Sequence, residues 1–226
     1  MKEDIFFMLC PQTRAFLLPV KGGTMNQIQR TKARYSTRNL TRLSLLSVIA
    51  FLFMYIEFPL AFIAPPFIKI DLSDIPALIG GFAMGPVAGI TIELVKCILT
   101  FFVRGTTTGG VGELSNFIVG ALFVGLSAKF YSRQRTYRGA VVGLLLGVVG
   151  MTLVATLSNY FVVFPLYGKI MPMDAIINMG RAVTPRVNSL WDLMLYCIVP
   201  FNLVKGLIIS AATLALYKRV SRFLHD

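Results

Sequence analysis

The chain has 226 residues, 56% hydrophobic and only 14% charged, with a mean hydropathy of +0.73; this is too apolar for an ordinary soluble domain and reads as an integral membrane protein. The formal charge of +12 does not signal nucleic acid, because the basic residues gather in short clusters between apolar stretches. Cys10, Cys97 and Cys197 are too few and too scattered for a disulfide framework or a zinc site.

Residues 1–24 look foreign to the rest of the chain. Their apolar run is broken by Pro11, Arg14 and Pro19, and it lacks the basic start and small-residue cleavage site of a signal peptide. Lys21-Gly22-Gly23 can be encoded by a purine run resembling a bacterial ribosome-binding site, so Met25 stands beside Met1 as a candidate translation start. Residues 1–42 are then expected as a basic cytoplasmic segment, 43–217 as the membrane domain and 218–226 as a basic cytoplasmic tail.

Spanning takes about 20 apolar residues, and the stretches 43–63, 86–103, 111–131, 139–164 and 193–217 qualify. The stretch 75–85 is shorter, is weakened by Gly80, Gly81 and Gly85, and opens on Pro76, as suits a short helix packed inside a bundle. The expected fold is an all-α integral membrane bundle of six transmembrane helices, with a short second helix and an extended outer loop between helices 1 and 2. In that loop Pro65 and Pro66 forbid helix, residues 67–72 alternate apolar with polar like a strand, and Ser73 or Asp74 is expected to cap the second helix. The Gly- and Thr-rich loop 105–112 allows close approach to a ligand, and 171–188 reads as an outer loop or interfacial segment. No internal repeat is visible, so nothing suggests inverted-repeat alternating access.

With six spans, three basic clusters fall on one side: Arg30, Lys32, Arg34, Arg38 and Arg42; Lys129, Arg133, Arg135 and Arg138; Lys218, Arg219 and Arg222. The positive-inside rule makes that side cytoplasmic, with both termini there and a lesser contribution from anionic membrane lipid.

This orientation gathers polar residues at the outer end of the bundle. Lys96 and Lys205 each lie inside an apolar stretch, where an unpaired lysine costs roughly 3 kcal/mol on insertion scales. Asn202 and Lys205 share a helix face at i,i+3, and with no acid within a turn of Lys205 they read as ligand contacts. For Lys96, an ion pair with Glu93 at i,i+3 and a ligand contact are both open, as are interhelical packing and ligand binding for Asn116 and Asn159. Glu57, at the outer end of the first span, is expected to be solvated. Enzymatic machinery is missing: the single histidine, His225, lies in the tail, and G-x-x-x-x-G-K-[ST] does not occur, so no P-loop binds ATP.

Five segments, in order, carry a resemblance: 69–78 (KIDLSDIPAL), 85–89 (GPVAG) leading to Val95-Lys96, Asn116-Phe117, 158–161 (SNYF) with 165–168 (PLYG), and 200–206 (PFNLVKG). Over roughly residues 43–224 the chain resembles the riboflavin-binding S components (RibU family) of energy-coupling factor (ECF) transporters. The resemblance implies a six-helix subunit of the bacterial cell membrane that captures riboflavin, with its phosphate FMN as a second candidate. It further implies an EcfT-like transmembrane coupling protein and two cytosolic ATPases as partners, flavin as cargo, and no cofactor. It places Asn159, Asn202 and Lys205 at the flavin, and less directly Asn116 and the loop residues Phe67, Ile68 and Ile70. Lys96 joins the candidate contacts from its place in the outer half of its span, and Phe67, Tyr160 and Phe161 suit the ring faces by their chemistry. The small residues Ser44, Ser47 and Ala50 depart from the family's Ala-x-x-x-Ala docking pattern on the first helix, so partner docking and ordinary packing are both open there. Two other readings stand beside this one: an S component for another vitamin, and a non-transporting membrane assembly subunit whose lysines hold lipid headgroups.

Overall fold

The computed structural model describes residues 37–65, 68–106, 109–169 and 172–224, with only the backbone described from 218 onward. The candidate start at Met25, Phe67 and most of the first basic cluster lie outside the described residues. The chain divides into two compact units, Met1–Leu40 and Thr41–Asp226. Of the first, only the opening turn of helix α1 (Thr37–Phe53) is described; the second holds the rest of the fold.

Helix α1 stops well short of the expected span 43–63. Tyr55 and Ile56 donate to the carbonyls of Leu52 and Phe53, three residues back, at 3.2 and 3.1 Å, and such tightening closes a helix end. Pro59 then bars helix, and the chain enters strand β1 (Glu57–Pro59), which pairs antiparallel with β2 (Lys69–Asp71) in the register Glu57↔Asp71, Phe58↔Ile70 and Pro59↔Lys69. The second half of the apolar run is therefore a turn and a ribbon edge.

Helix α2 (Asp74–Met84) is buried on almost every side, as an apolar helix inside a bundle must be. Ser73 precedes it but makes no capping bond with its side chain, because that hydroxyl is engaged elsewhere. Gly85, at φ 98°, turns the chain directly into α3 (Pro86–Val103); a side chain is strained at such a φ. Helix α4 (Val111–Arg133) leads back to α5, which is capped by Thr136, whose hydroxyl accepts from Gly139 N at 3.1 Å. Helix α5 covers Tyr137–Ser158, a π-turn at Asn159–Val163 and a last turn at Phe164–Tyr167. The next segment folds as the amphipathic α6 (Met173–Val183), with Ile176 and Gly180 buried. Helix α7 comprises Leu190–Leu193, a second π-turn at Met194–Ile198, and Val199–Leu224.

Among the described residues, four helical stretches are long and apolar enough to cross a membrane: Pro86–Val103, Val111–Arg133, Tyr137–Tyr167 and Leu190–Tyr217; α2 is a shorter apolar helix. The core between α2, α4, α5 and α7 is filled by Leu78, Phe123, Val124, Leu144, Met151 and Ile209, all nearly inaccessible. Leu145, Val149 and Leu153 on α5 point outward and are at least half exposed. An apolar outer surface around a satisfied helical backbone is what a bilayer demands.

Candidate functional site

A cavity of about 580 Å³ opens at one end of the bundle. Its walls come from the C-terminal ends of α3 and α5, the N-terminal ends of α4 and α7, and β2. Both π-turns lie beside it. Asn159 opens the first, and Asn202 follows the second by one turn. Each amide donates one N–H to the carbonyl four residues back in its own helix: Asn159 Nδ2 to Ala155 O at 2.7 Å, and Asn202 Nδ2 to Ile198 O at 2.8 Å. That leaves each asparagine a second N–H and a carbonyl oxygen, on residues that line the cavity. π-turns recur at functional sites because the extra residue re-aims the side chains beyond it.

Lys205 also lines the cavity, but it is not the uncompensated cation expected from its local sequence. Its Nζ lies 3.2 Å from Asp71 Oδ2 and 3.4 Å from Asp74 Oδ2. Lys96 does not reach the cavity. It is fully buried, with Nζ 2.5 Å from Asp74 Oδ1, 2.7 Å from Glu93 Oε2 and 2.7 Å from Ser73 Oγ. Ser73 donates both its hydroxyl and its backbone N–H to Asp71 Oδ1. Two lysines, three acids and one serine thus form a continuous network that ties β2 and α2 to α3 and α7. The ion pair with Glu93 is present, and Asp74 joins it. Gly120 on α4 abuts the Glu93 carboxylate so closely that a Cβ there would collide with it. Removing one partner from such a network strands a buried charge, at a cost of about 3–5 kcal/mol.

A second charged group occupies the more exposed end of the cavity. Glu57, instead of being solvated alone, accepts from Lys69 Nζ at 2.8 Å and from both terminal nitrogens of Arg104, one of them at 3.1 Å. The Arg104 hydrogen bond holds the Glu57 carboxyl below the usual carboxylate range, against the upward push of partial burial, with Lys69 adding to the lowering. Arg104 also stacks over Tyr55, 5.6 Å from the ring centre. Nearby, Thr106 Oγ1 donates to Glu113 at 3.1 Å and accepts from Gly110 N at 2.9 Å.

Of the residues singled out in the sequence, Asn116, Asn159, Asn202, Lys205 and Ile68 meet at the cavity wall. Ile70 packs behind it with Ala64 and Phe201, and Phe67 lies outside the described residues. The aromatic wall also differs from expectation. Tyr160 meets Trp191 edge to face, with ring centres 5.5 Å apart, and Phe161 is 68% exposed, whereas Phe164, Tyr167 and Phe201 line the cavity. Residues one and two places beyond Asn159 are turned away around the helix, while those four, five and eight places beyond return to its face. Asp71, Asp74 and Arg104 were missed because their partners are distant in sequence: Asp71 and Lys205 are 134 residues apart. The alternation through β2, which aims Asp71 inward, was the available signal. Cys97 and Cys197 are buried free thiols.

Residues 38–217 match the family model described as "ECF transporter, substrate-specific component". The riboflavin transporter RibU of Staphylococcus aureus is 36% identical over 201 residues, 88% of this chain and 98% of the relative. The riboflavin transporter FmnP of Bacillus subtilis is 34% identical over 174 residues, 76% of this chain and 86% of the relative. A solved structure of the S component of a bacterial ECF transporter superimposes with a TM-score of 0.65 at 35% identity, over 84% of this chain and 98% of that one. With the family model spanning most of the chain, and with these relatives matched over most of their lengths, the chain belongs to the substrate-specific (S) component family of ECF transporters and is a transport subunit, not an enzyme.

Proposed function

We propose that this chain captures riboflavin outside a bacterial cell and delivers it inward through an ATP-driven coupling module. The observation that carries the reading is the convergence of Asn159, Asn202 and Lys205 on one cavity walled by Phe164, Tyr167 and Phe201. Riboflavin pairs a flat aromatic ring system with a uracil-like edge, where an N–H lies between two carbonyls. The free carbonyl of an asparagine suits that N–H, and its second N–H, like the Lys205 ammonium, suits the flanking carbonyls. Aromatic side chains suit the ring faces. A cavity of about 580 Å³ falls within the usual range for small-molecule sites, roughly 300–1,000 Å³. Asn116 and Ile68 complete the proposed enclosure, and Ile70 and Lys96 support it from behind.

In this reading α1 and α2 join the four longer stretches as the fifth and sixth transmembrane helices. The termini face the cytoplasm and the cavity faces outward, as the basic clusters predict. Residues 43–217 form the binding domain between basic cytoplasmic ends. The sequence holds no P-loop, so uphill uptake draws on a transmembrane coupling protein and two cytosolic ATPases. Flavin is carried unchanged, with no cofactor role.

The direct test is the ligand that accompanies the purified protein. Denaturing detergent-purified protein and identifying the released small molecule by absorbance and mass is expected to give riboflavin at one equivalent or less. A different vitamin, or lipid alone with no flavin binding on titration, would overturn the assignment.

A further inference from the structure

Among the described residues, six charged side chains line the cavity, and their signs cancel: Glu57, Asp71 and Glu113 against Lys69, Arg104 and Lys205. The charges are not evenly placed. Lys205 and Asp71 are deep, with side chains about one-tenth exposed, while Lys69 and Arg104 are 43% and 39% exposed at the open end. Both of those outer cations end on the same carboxylate, Glu57, whose side chain is only 20% exposed. A lysine and an arginine side by side at a cavity mouth form an anion site, and arginine forks especially favour phosphate. Glu57 occupies that site from within the protein.

We propose that Glu57 sets the cavity's selectivity for the uncharged vitamin over its phosphate ester, by occupying the Lys69 and Arg104 donors that a phosphate would otherwise engage. The inference rests on the proposed flavin function. With the ring system held at Asn159, Asn202 and Lys205, the ribityl chain extends toward the open end, and a terminal phosphate meets Glu57 and its two partners. Riboflavin leaves the balance of charge undisturbed. FMN brings about two negative charges at neutral pH to a mouth where one carboxylate already engages both cations, so it has to displace Glu57 or be repelled by it.

The test is the ratio of FMN to riboflavin affinity, measured by quenching of flavin fluorescence on detergent-purified wild type, Glu57→Gln, Glu57→Gln/Lys69→Gln and Arg104→Gln. A ratio cancels any loosening of the mouth that affects both ligands alike. Glu57→Gln frees both cations and is expected to raise the ratio roughly tenfold at low salt, the scale of one unit charge acting at partly screened range, with the gain shrinking at high salt. Adding Lys69→Gln is expected to bring the ratio back toward wild type. Arg104→Gln, which removes the guanidinium fork and leaves Lys69 cancelled by Glu57, is expected to lower it, so this arm decides should Glu57→Gln not fold. An unchanged ratio in a folded, riboflavin-binding Glu57→Gln protein, or an Arg104→Gln protein with the wild-type ratio, would overturn the proposal while leaving the flavin function intact. Wild type that binds neither flavin would overturn both.

Discussion

Lys96 and Lys205 pose the same sequence puzzle, a cation inside an apolar span, and the structure resolves them differently. Lys96 is fully buried, with Asp74, Glu93 and Ser73 around its ammonium. It donates to Ser73 and Asp74, has Glu93 as a further ion-pair partner at 2.7 Å, and does not line the cavity. Lys205 sits at longer distances from Asp71 and Asp74 and forms part of the cavity wall. The position of a charge along a helix says that it needs compensation; whether the compensation is internal or leaves capacity for a guest depends on how many acids the rest of the chain brings within reach. Here the first lysine holds the framework, and the second is held by it at the site.

The largest effect expected from this contrast is on Lys96→Ala, which strands Glu93, leaves Asp74 with Lys205 alone, and removes about 3–5 kcal/mol of stability. Thermal unfolding in detergent reads it, and a wild-type melting temperature would break the contrast. Gly120→Ala pushes a methyl group against the Glu93 carboxylate and is expected to cost about 1–3 kcal/mol, as overpacking does, again as stability. Asn159→Ala acts on the other side of the contrast. It gives up ligand bonds worth about 1 kcal/mol and is expected to weaken flavin binding several-fold with little change in melting temperature.

The smallest effect concerns the mouth. The folded-state pKa of Glu57 lies below its ordinary value, so its pairs with Lys69 and Arg104 contribute fully above the usual carboxylate range. That contribution is lost as pH falls through the lowered value. Flavin release followed by stopped flow is expected to accelerate slightly only in that acid range, and Glu57→Gln is expected to abolish the acid limb. Acceleration near neutral pH would assign the effect to another group.

Hydropathy located α2, α3, α4 and the cores of α5 and α7, because apolar length is a local property of the chain. It misjudged the end of α1, where Pro59 and the pairing of Glu57 with Asp71 across the ribbon override a long, mostly apolar run. The asparagines and Lys205 stood out as polar groups in apolar segments, but their acidic neighbour Asp71 lies 134 residues from Lys205, beyond the reach of any local pattern. The aromatic wall was misassigned within a single turn. Tyr160 and Phe161 flank Asn159 in sequence, yet helical rotation through the π-turn brings Phe164 and Tyr167 to the cavity. Local composition indicated that a site exists; only the fold specifies its walls.

The central claim is that Asn202 and Lys205 hold the ligand directly. It is tested most directly by titrating riboflavin against wild type, Asn202→Ala and Lys205→Ala and following quenching of flavin fluorescence. One site is expected in the wild type, with each substitution weakening it by about 1–3 kcal/mol, the cost of leaving a buried polar partner unpaired, in protein that remains folded and monodisperse. Wild-type affinity in both folded variants would contradict the account.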